Sequence, residues 1–361
     1  MDIDGQTQMV SLQAVSTQQS VVLATMLGLA VIGGVAVFAL EGPAGGAAVE
    51  QVPAEANMVV RVDMAVTNDT ASRRLVRSGL NSSLEELTNP DNDSVLSAAV
   101  GNRTVDRDNV SAVGGEVDER TDLDPRAVSE VVVFGKLSRS MSYTDAEYGG
   151  VIVHADWERA AVLETARNGT ATYERTSYNG QTVLKPVGGN ASEVQWVGVL
   201  DSGQYVIGSE AAVKDTVDVA SGDASGFGGK LRAAYEDTRP GLVRFAFAVP
   251  EESVPSGETG SVDTESFQDV DTVAGSYYTT ATGAGVEIRL VAAGPQSARD
   301  VEDVTNGLRA IASGTVENET TENALRQVSV ERSGSTVTVS YEQSVGTVEA
   351  VVRYLYEDYI V

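Results

Sequence analysis

The first strong pattern along the chain is Val21 to Leu40, twenty uncharged and mostly apolar residues in one run. At about 1.5 Å of rise per residue a helix of that length covers about 30 Å, the thickness of a bilayer's hydrocarbon core. The run therefore predicts a transmembrane helix. Glu41 to Ala56, rich in Gly, Pro, Ala and Glu, then predicts a flexible spacer.

Beyond the spacer the apolar spacing shortens to that of folded elements. Asn57 to Met64 alternates around Val59, Val60 and Val62 as a strand, and a helix is expected through Leu75, Leu80 and Leu84. Thr88 to Arg126 is polar and holds no steady period, which predicts a long exposed excursion. Val131 to Leu137 and Gly150 to Ala155 predict strands, with Asp156 capping a helix over Trp157 to Arg167. Tyr173 to Val187 predicts a hairpin turning at Asn179-Gly180, and Val194 to Gly208 a second one turning at Asp201-Ser202-Gly203. Helices over Glu210 to Ala220 and Leu231 to Glu236, then a strand over Leu242 to Ala248, close this unit.

Glu251 to Gln268 has the composition of a linker. After it, Ser276 to Thr280 and Val286 to Leu290 predict strands. Ser297 with Asp300 predicts a capped helix bearing Val301, Val304, Leu308 and Ile311 on one face. Val328 to Tyr341 predicts a hairpin around Ser333-Gly334, and Val348, Val351, Val352, Leu355 and Tyr359 form the stripe of a last helix. Both units run strand, strand, helix, hairpin, helix, the first with one extra hairpin, which implies a structural repeat. The expected class is α+β: an N-terminal transmembrane helix followed by two tandem ectodomains, each an antiparallel sheet with helices on one face. The corresponding boundaries are a cytoplasmic tail 1–20, the span 21–40, the spacer 41–56, a first ectodomain 57–250 with the excursion 88–126, a linker 251–268 and a second ectodomain 269–361.

Charge and glycosylation patterns change this picture in two ways. Fifty-two acidic against 25 basic residues give a net charge of −27, which repels nucleic acid and argues against it as a partner. Only Lys136, Lys185, Lys214 and Lys230 are lysines, the other basic residues being arginines; that bias together with the acidity fits a halophilic archaeal protein. At molar salt the Debye length is about 3 Å, so a strongly charged surface repels itself little. Asn-x-Ser/Thr triplets begin at Asn68, Asn81, Asn92, Asn102, Asn109, Asn168, Asn190 and Asn318, an excess that points to glycosylation on an exported face.

These triplets orient the span, because residues 1–20 carry no Lys or Arg and the positive-inside rule has nothing to count. Residues 41–361 are expected outside; cleavage after the small residues Gly45 to Ala48 is the competing reading. With no cysteine, disulfides, thiolate metal sites and a lipid-anchoring cysteine are excluded.

The Val52-Pro53-Ala54-Glu55 start, the Tyr178-Asn179-Gly180 turn, Val197-Gly198-Val199-Leu200-Asp201-Ser202-Gly203 and Val206-Ile207-Gly208-Ser209 before a helix form a further series. Over about residues 50–250 it is similar to a prokaryotic, haloarchaeal-type family of membrane-anchored extracellular proteins of uncharacterised function. Members often use a lipid-anchoring cysteine, which the span would replace here. The resemblance implies no catalytic residues.

Candidate chemistry is sparse. His154, the one histidine, ends a strand and lacks any Gly-x-Ser-x-Gly partner motif. Gly226-Phe227-Gly228-Gly229-Lys230 departs from a phosphate loop at Ala224 and Leu231 and is expected as a flexible loop, while Gly283-Ala284-Gly285 is expected as a turn. Carboxylates such as Asp91 with Asp93, Asp106 with Asp108, Asp122 with Asp124 and Asp269 with Asp271 lack the spacing of a calcium loop. No cofactor and no metal is expected. The expected function is a non-enzymatic, glycosylated, single-pass surface protein of a halophilic archaeon or its virus. It would meet the bilayer through Val21–Leu40 and surface-layer or neighbouring envelope proteins through its ectodomains. An anchored hydrolase with a carboxylate site, or a solute-binding ectodomain, are the alternatives.

Overall fold

A computed structural model describes residues 48–75, 123–137, 148–168, 172–187, 195–201, 203–250, 258–259, 262–263, 265–316 and 318–355. The span Val21–Leu40, most of the excursion 88–126, and Asn81, Asn92, Asn102, Asn109 and Asn190 lie outside these residues. Among the described residues no helix is long and apolar enough to cross a membrane.

The fold is α+β and is built on one antiparallel sheet of twelve strands among the described residues. The strands are β1 (Met58–Asp63), β2 (Val128–Gly135), β3 (Gly149–Ala155), β4 (Tyr173–Tyr178), β5 (Gln181–Pro186), β6 (Trp196–Asp201), β7 (Gln204–Gly208) and β8 (Val243–Ala248). After the small pair β9 (Glu258–Thr259) and β10 (Val262–Asp263) come β11 (Val270–Thr279), β12 (Gly283–Ala292), β13 (Ser329–Ser333) and β14 (Thr336–Ser344). The helices are α1 (Ala65–Asn68), α2 (Arg159–Asn168), α3 (Glu210–Ser221), α4 (Gly229–Glu236), α5 (Pro295–Thr315), α6 (Glu319–Arg326) and α7 (Val345–Leu355).

Two separate sheets were expected, yet the strands join in the order β13-β14-β12-β11-β8-β1-β2-β3-β7-β6-β5-β4. The junction is β8, which pairs with β1 on one side and β11 on the other. Strand β8 carries Val243, Phe245 and Phe247 on one face and Ala246 and Ala248 beside Arg244 on the other, so it satisfies its backbone and buries its side chains between two neighbours.

The order also carries the repeat. Outward from the centre the chain visits β1, β2, β3, β7, β6 on one side and β8, β11, β12, β14, β13 on the other, the same path in each half. The two halves meet in an antiparallel pair whose register sets Arg61 directly opposite Arg244. Val60-Arg61-Val62 and Val243-Arg244-Phe245 thus occupy equivalent places about an approximate twofold axis. The β4–β5 hairpin extends only the first half. Its turn has Asn179 and Gly180 at φ 47° and 78°, as the Asn-Gly dipeptide predicts.

Helices lie on both faces in the first half rather than on one. One face buries Val59, Val132, Phe134, Ile152 and Val206 under α3 and α4. The other buries Val62, Val131, Val153 and Val243 with α1 and α7, continues as Phe245, Ile288 and Leu290 under α5, and meets α2 through Val162. Strands β2 and β3 carry apolar residues at both parities, Val132, Phe134 and Ile152 on one face and Val131, Val133, Val151 and Val153 on the other, so each face needs a cover. Strand β12 alternates Val286, Ile288 and Leu290 with Glu287 and Arg289, and its helices keep to the apolar face as expected.

Several boundaries move for identifiable reasons. Residues 48–56 are not a free spacer: Ala48 and Val52 are fully buried and Val49 and Ala56 nearly so, which anchors the segment to the body. The end of the expected linker is folded as well, with Phe267 buried against α5. Helix α5 starts at Pro295 behind Gly294 rather than at Ser297, because proline needs no amide partner in a first turn. Gly283 to Gly285 belong to β12, where a Cβ on Gly285 would stand 2.5 Å from the Tyr278 ring.

Candidate functional site

The first face holds polar groups where its apolar cover is thickest. Glu130, on β2, shares its parity with Val132 and Phe134 and is completely buried, as those are. Arg61 on β1 reaches it, Nε to Oε1 at 3.1 Å, and also meets Asp63 at 3.4 Å. The amide of Ala48 also donates to the Glu130 carboxylate. Desolvation outweighs the Arg61 charge and these hydrogen bonds, and pushes the Glu130 carboxyl up from 4.5 to about 7.

The cover over this pair is the 3-10 turn Ala48–Gln51 together with α4. Gln51 donates to Gln204 of β7, Arg232 of α4 binds Glu50 at 2.8 Å, and Phe227 N donates to Val52 O at 2.7 Å. Gly226 makes this approach possible, since a Cβ there would lie 3.0 Å from Glu50 O and 3.2 Å from Val52 O. The segment Gly226–Lys230, expected as a flexible loop, is a docked strap leading into α4.

Arg244, the counterpart of Arg61, is served differently. The equivalent positions of Asp63 and Glu130 in the second half are Ala246 and Ala274, which face each other in the β8–β11 ladder. Arg244 instead donates to the carbonyls of Tyr235, Glu236 and Thr238 and to Thr238 Oγ1, and its guanidinium lies 4.3 Å over the Tyr235 ring. Those carbonyls end α4, where the helix dipole presents partial negative charge, so they stand in for carboxylates. Burial raises the Tyr235 phenol, whose hydroxyl has no protein partner among the described residues; the same holds for Ser276 Oγ and Glu130 Oε2.

A second polar group lines the outer edge of α3. Tyr148 donates to Asp215 and Tyr178 to Asp218, each at 2.9 Å, and Asn179 also binds Asp218 and Asp223. Three of the four lysines sit over rings here: Lys136 over Tyr148, Lys185 over Trp196, and Lys214 over both Trp196 and Tyr178. Burial first, and then Asp215, raise the Tyr148 phenol.

His154 stands opposite Glu130 in β2 and opposite Gln204 in β7, with its carbonyl accepting from Ser129 Oγ. Its neighbours include no hydroxyl nucleophile placed by a hydrogen bond to its ring, and its Nδ1 has no protein partner among the described residues. No group of three or more His, Asp or Glu among the described residues is arranged to hold a metal ion. Asp271 of the suggested pairs binds Lys230 instead.

Of the triplet asparagines within the described residues, Asn68 ends α1 and is exposed, Asn168 ends α2, and Asn318 is exposed at the start of α6. Asn318 caps α6 through Oδ1, which accepts from Thr321 N at 3.1 Å, so the cap does not use the amide nitrogen a sugar would occupy. The chain gave no sign of α6 beyond that triplet.

Arg61, Glu130, Tyr235 and Arg244 did not stand out as a group in the sequence. Arg61, Glu130 and Arg244 each interrupt a strand of mostly apolar residues and Tyr235 sits near the end of a polar helix; the pairing of β1 with both β2 and β8, and the packing of α4 over it, brings them together.

No protein-family model matches the chain, and no curated protein does. Among solved structures, crystal form III of TP0453 matches at a TM-score of 0.43 and 8% identity, covering 86% of this chain and 99% of that one. Crystal form IV gives 0.43 and 8%, covering 86% and 97%, and crystal form I gives 0.38 and 10%, covering 87% and 99%.

Proposed function

We propose that this protein is a membrane-anchored, extracytoplasmic, glycosylated surface protein of a halophilic archaeon or its virus, whose folded body acts by interaction rather than catalysis. The observation that carries the reading is the twenty-residue apolar run Val21–Leu40 followed by an acidic body rich in Asn-x-Ser/Thr triplets. Exposed Asn68 and Asn318 support it, because an acceptor must be open to the transferring enzyme. Its resemblance to haloarchaeal-type anchored extracellular proteins points the same way. Surface-layer or neighbouring envelope proteins are the partners this reading assigns.

The polar site also favours a non-catalytic body. Glu130 carries the upward-shifted carboxyl that an acid catalyst would need, but it is sealed beneath the 3-10 turn and held by Arg61. A substrate would have to displace residues 48–52 to reach it.

Seven residues, 41–47, separate the proposed span from Ala48, the first described residue of the body, and a chain of that length reaches at most about 25 Å. The body is therefore held close to the bilayer on this reading. The test is protease treatment of intact cells at native salt, joined to glycopeptide mass spectrometry. Digestion beyond residue 41 and sugars on several of the eight asparagines are expected; complete protection with every asparagine bare refutes the proposed topology.

A further inference from the structure

The segment that leaves the proposed span is bound to the body by polar contacts around its length, and its first turn lies over one buried carboxyl. Residues 48–56 form the lid over Glu130: Ala48 N donates to it, Gln51 reaches Gln204, Glu50 binds Arg232, and Val52 O and Ala54 N pair with Phe227 N and Ser225 O. Pro53 bridges to Gly226, and Asn57 N donates to Gly135 O at 2.9 Å where β1 begins. The lid is thus fastened by these contacts and by the burial of Ala48, Val49, Val52 and Ala56, whereas the strand that follows it is fastened by ladders along both edges.

We propose that Ala48–Ala56 is a proton-governed latch: docked over a protonated Glu130, and released more readily when Glu130 is ionised, so that proton activity sets how far the body stands from the membrane. The distance part of this inference rests on the anchored reading above; the latch itself does not. Release would lengthen the tether from seven residues, 41–47, to sixteen, 41–56. That changes its maximum reach from about 25 Å to about 55 Å.

The coupling follows from what the lid does to the carboxyl. Docked, it excludes water and holds Glu130 up at about 7; undocked, it lets water in, and the carboxyl returns toward its ordinary 4.5. The open form therefore releases a proton more easily than the closed form. Rising pH must favour opening, by linkage.

The charged and ionisable groups facing Glu130 are Arg61 and Asp63 on β1, His154 opposite it on β3, Tyr235 on α4 and, one strand further, Arg244 on β8. Glu50 on the lid itself is tied to Arg232. His154 carries the one imidazole in this group and pairs directly with Glu130 across the β2–β3 ladder, so it needs its own control.

Hydrogen exchange on the full-length chain in lipid nanodiscs at constant molar salt tests the latch. After correction for intrinsic exchange, protection of the Ala54 and Phe227 amides is expected to fall about 30-fold from pH 5.5 to pH 8, as linkage between the two carboxyl states requires. Amides of β2 and β3 should keep their protection over the same range. Glu130→Gln should remove the pH response of Ala54 and Phe227, and His154→Gln should leave it in place. A flat response in the wild type overturns the latch. So does a response that survives Glu130→Gln, that vanishes in His154→Gln, or that β2 and β3 share. Should Glu130→Gln not fold, the wild type alone decides through the contrast between lid and sheet amides. None of these readings depends on which side of the membrane the body occupies.

Discussion

Glu130→Gln should make the global stability of this fold less sensitive to pH. In the folded chain the carboxyl titrates at about 7 against 4.5 when exposed. At about 1.4 kcal/mol for each pH unit between those values, the folded state gains about 3 kcal/mol from protonating Glu130. The folded state binds the proton more tightly than the unfolded one, so this stabilisation is fully present below about pH 4.5 and is lost as the pH rises through about 7. Between pH 5.5 and 8 the loss amounts to about 2 kcal/mol. Glutamine copies the protonated carboxyl in shape and retains an acceptor for Arg61 and the Ala48 amide, but it cannot ionise. Urea titrations of both proteins at fixed molar salt, at half-unit steps from pH 5.5 to 8, give the two stability curves. Their difference should change by about 2 kcal/mol in favour of the variant as pH rises. Parallel curves would show that Glu130 titrates like an exposed carboxylate, and the argument from burial would fail.

Three other outcomes follow from the packing and charge. Arg244→Met should lower stability by about 1.5–3 kcal/mol in denaturant melts, because the carbonyls closing α4 lose a charged donor; an effect under about 0.5 kcal/mol would show that water replaces it freely. Gly285→Ala should cost about 1–3 kcal/mol, since its Cβ would press on the Tyr278 ring, itself held under Arg239 at 3.7 Å; an unchanged melting temperature would mean the ring moves aside without strain. Dialysis from molar to millimolar salt should lower the melting temperature, because a net charge of −27 is then unscreened; no change would count against a high-salt setting.

Local elements were largely legible because their signals are local. The Asn179-Gly180 turn, the β12 alternation and the helix from Glu210 each depend on residues within a few positions. The single sheet was not legible. Joining β8 to both β1 and β11 is a choice of edge partner, and Val243 to Ala248 reads the same whether its strand lies at a boundary or at the centre. The docked lid was hidden for a related reason: Gly, Pro and Ala suit a loose spacer, and they equally suit a chain that must lie close against another backbone, as Val52 does against Gly226–Phe227. Glu130 and Arg61 were hidden by the acidic composition, in which one more carboxylate attracts no notice.

The approximate twofold axis explains why the polar site is one-sided. Two arginines placed opposite each other at the centre of a sheet repel, and each needs a compensating acceptor. Symmetric carboxylates would supply both, yet would bury four charged side chains or more beneath one face. In this chain the first half keeps Glu130 and Asp63 beside Arg61, while the second has Ala246 and Ala274 at those positions and turns Arg244 into the end of α4. Helix α4 can take that role because it precedes β8 as residues 48–56 precede β1, and it is long enough to present a row of terminal carbonyls. The four-residue turn Ala48–Gln51 offers no such row; it gives an amide, and an amide calls for an acceptor below it. The carboxyl therefore belongs under the shorter segment, which is also the one joined to the proposed span. On the proposed reading, the half of the repeat joined to the span is therefore the one with a buried carboxyl to respond to protons, while the other half has Ala246 and Ala274 in place of Asp63 and Glu130.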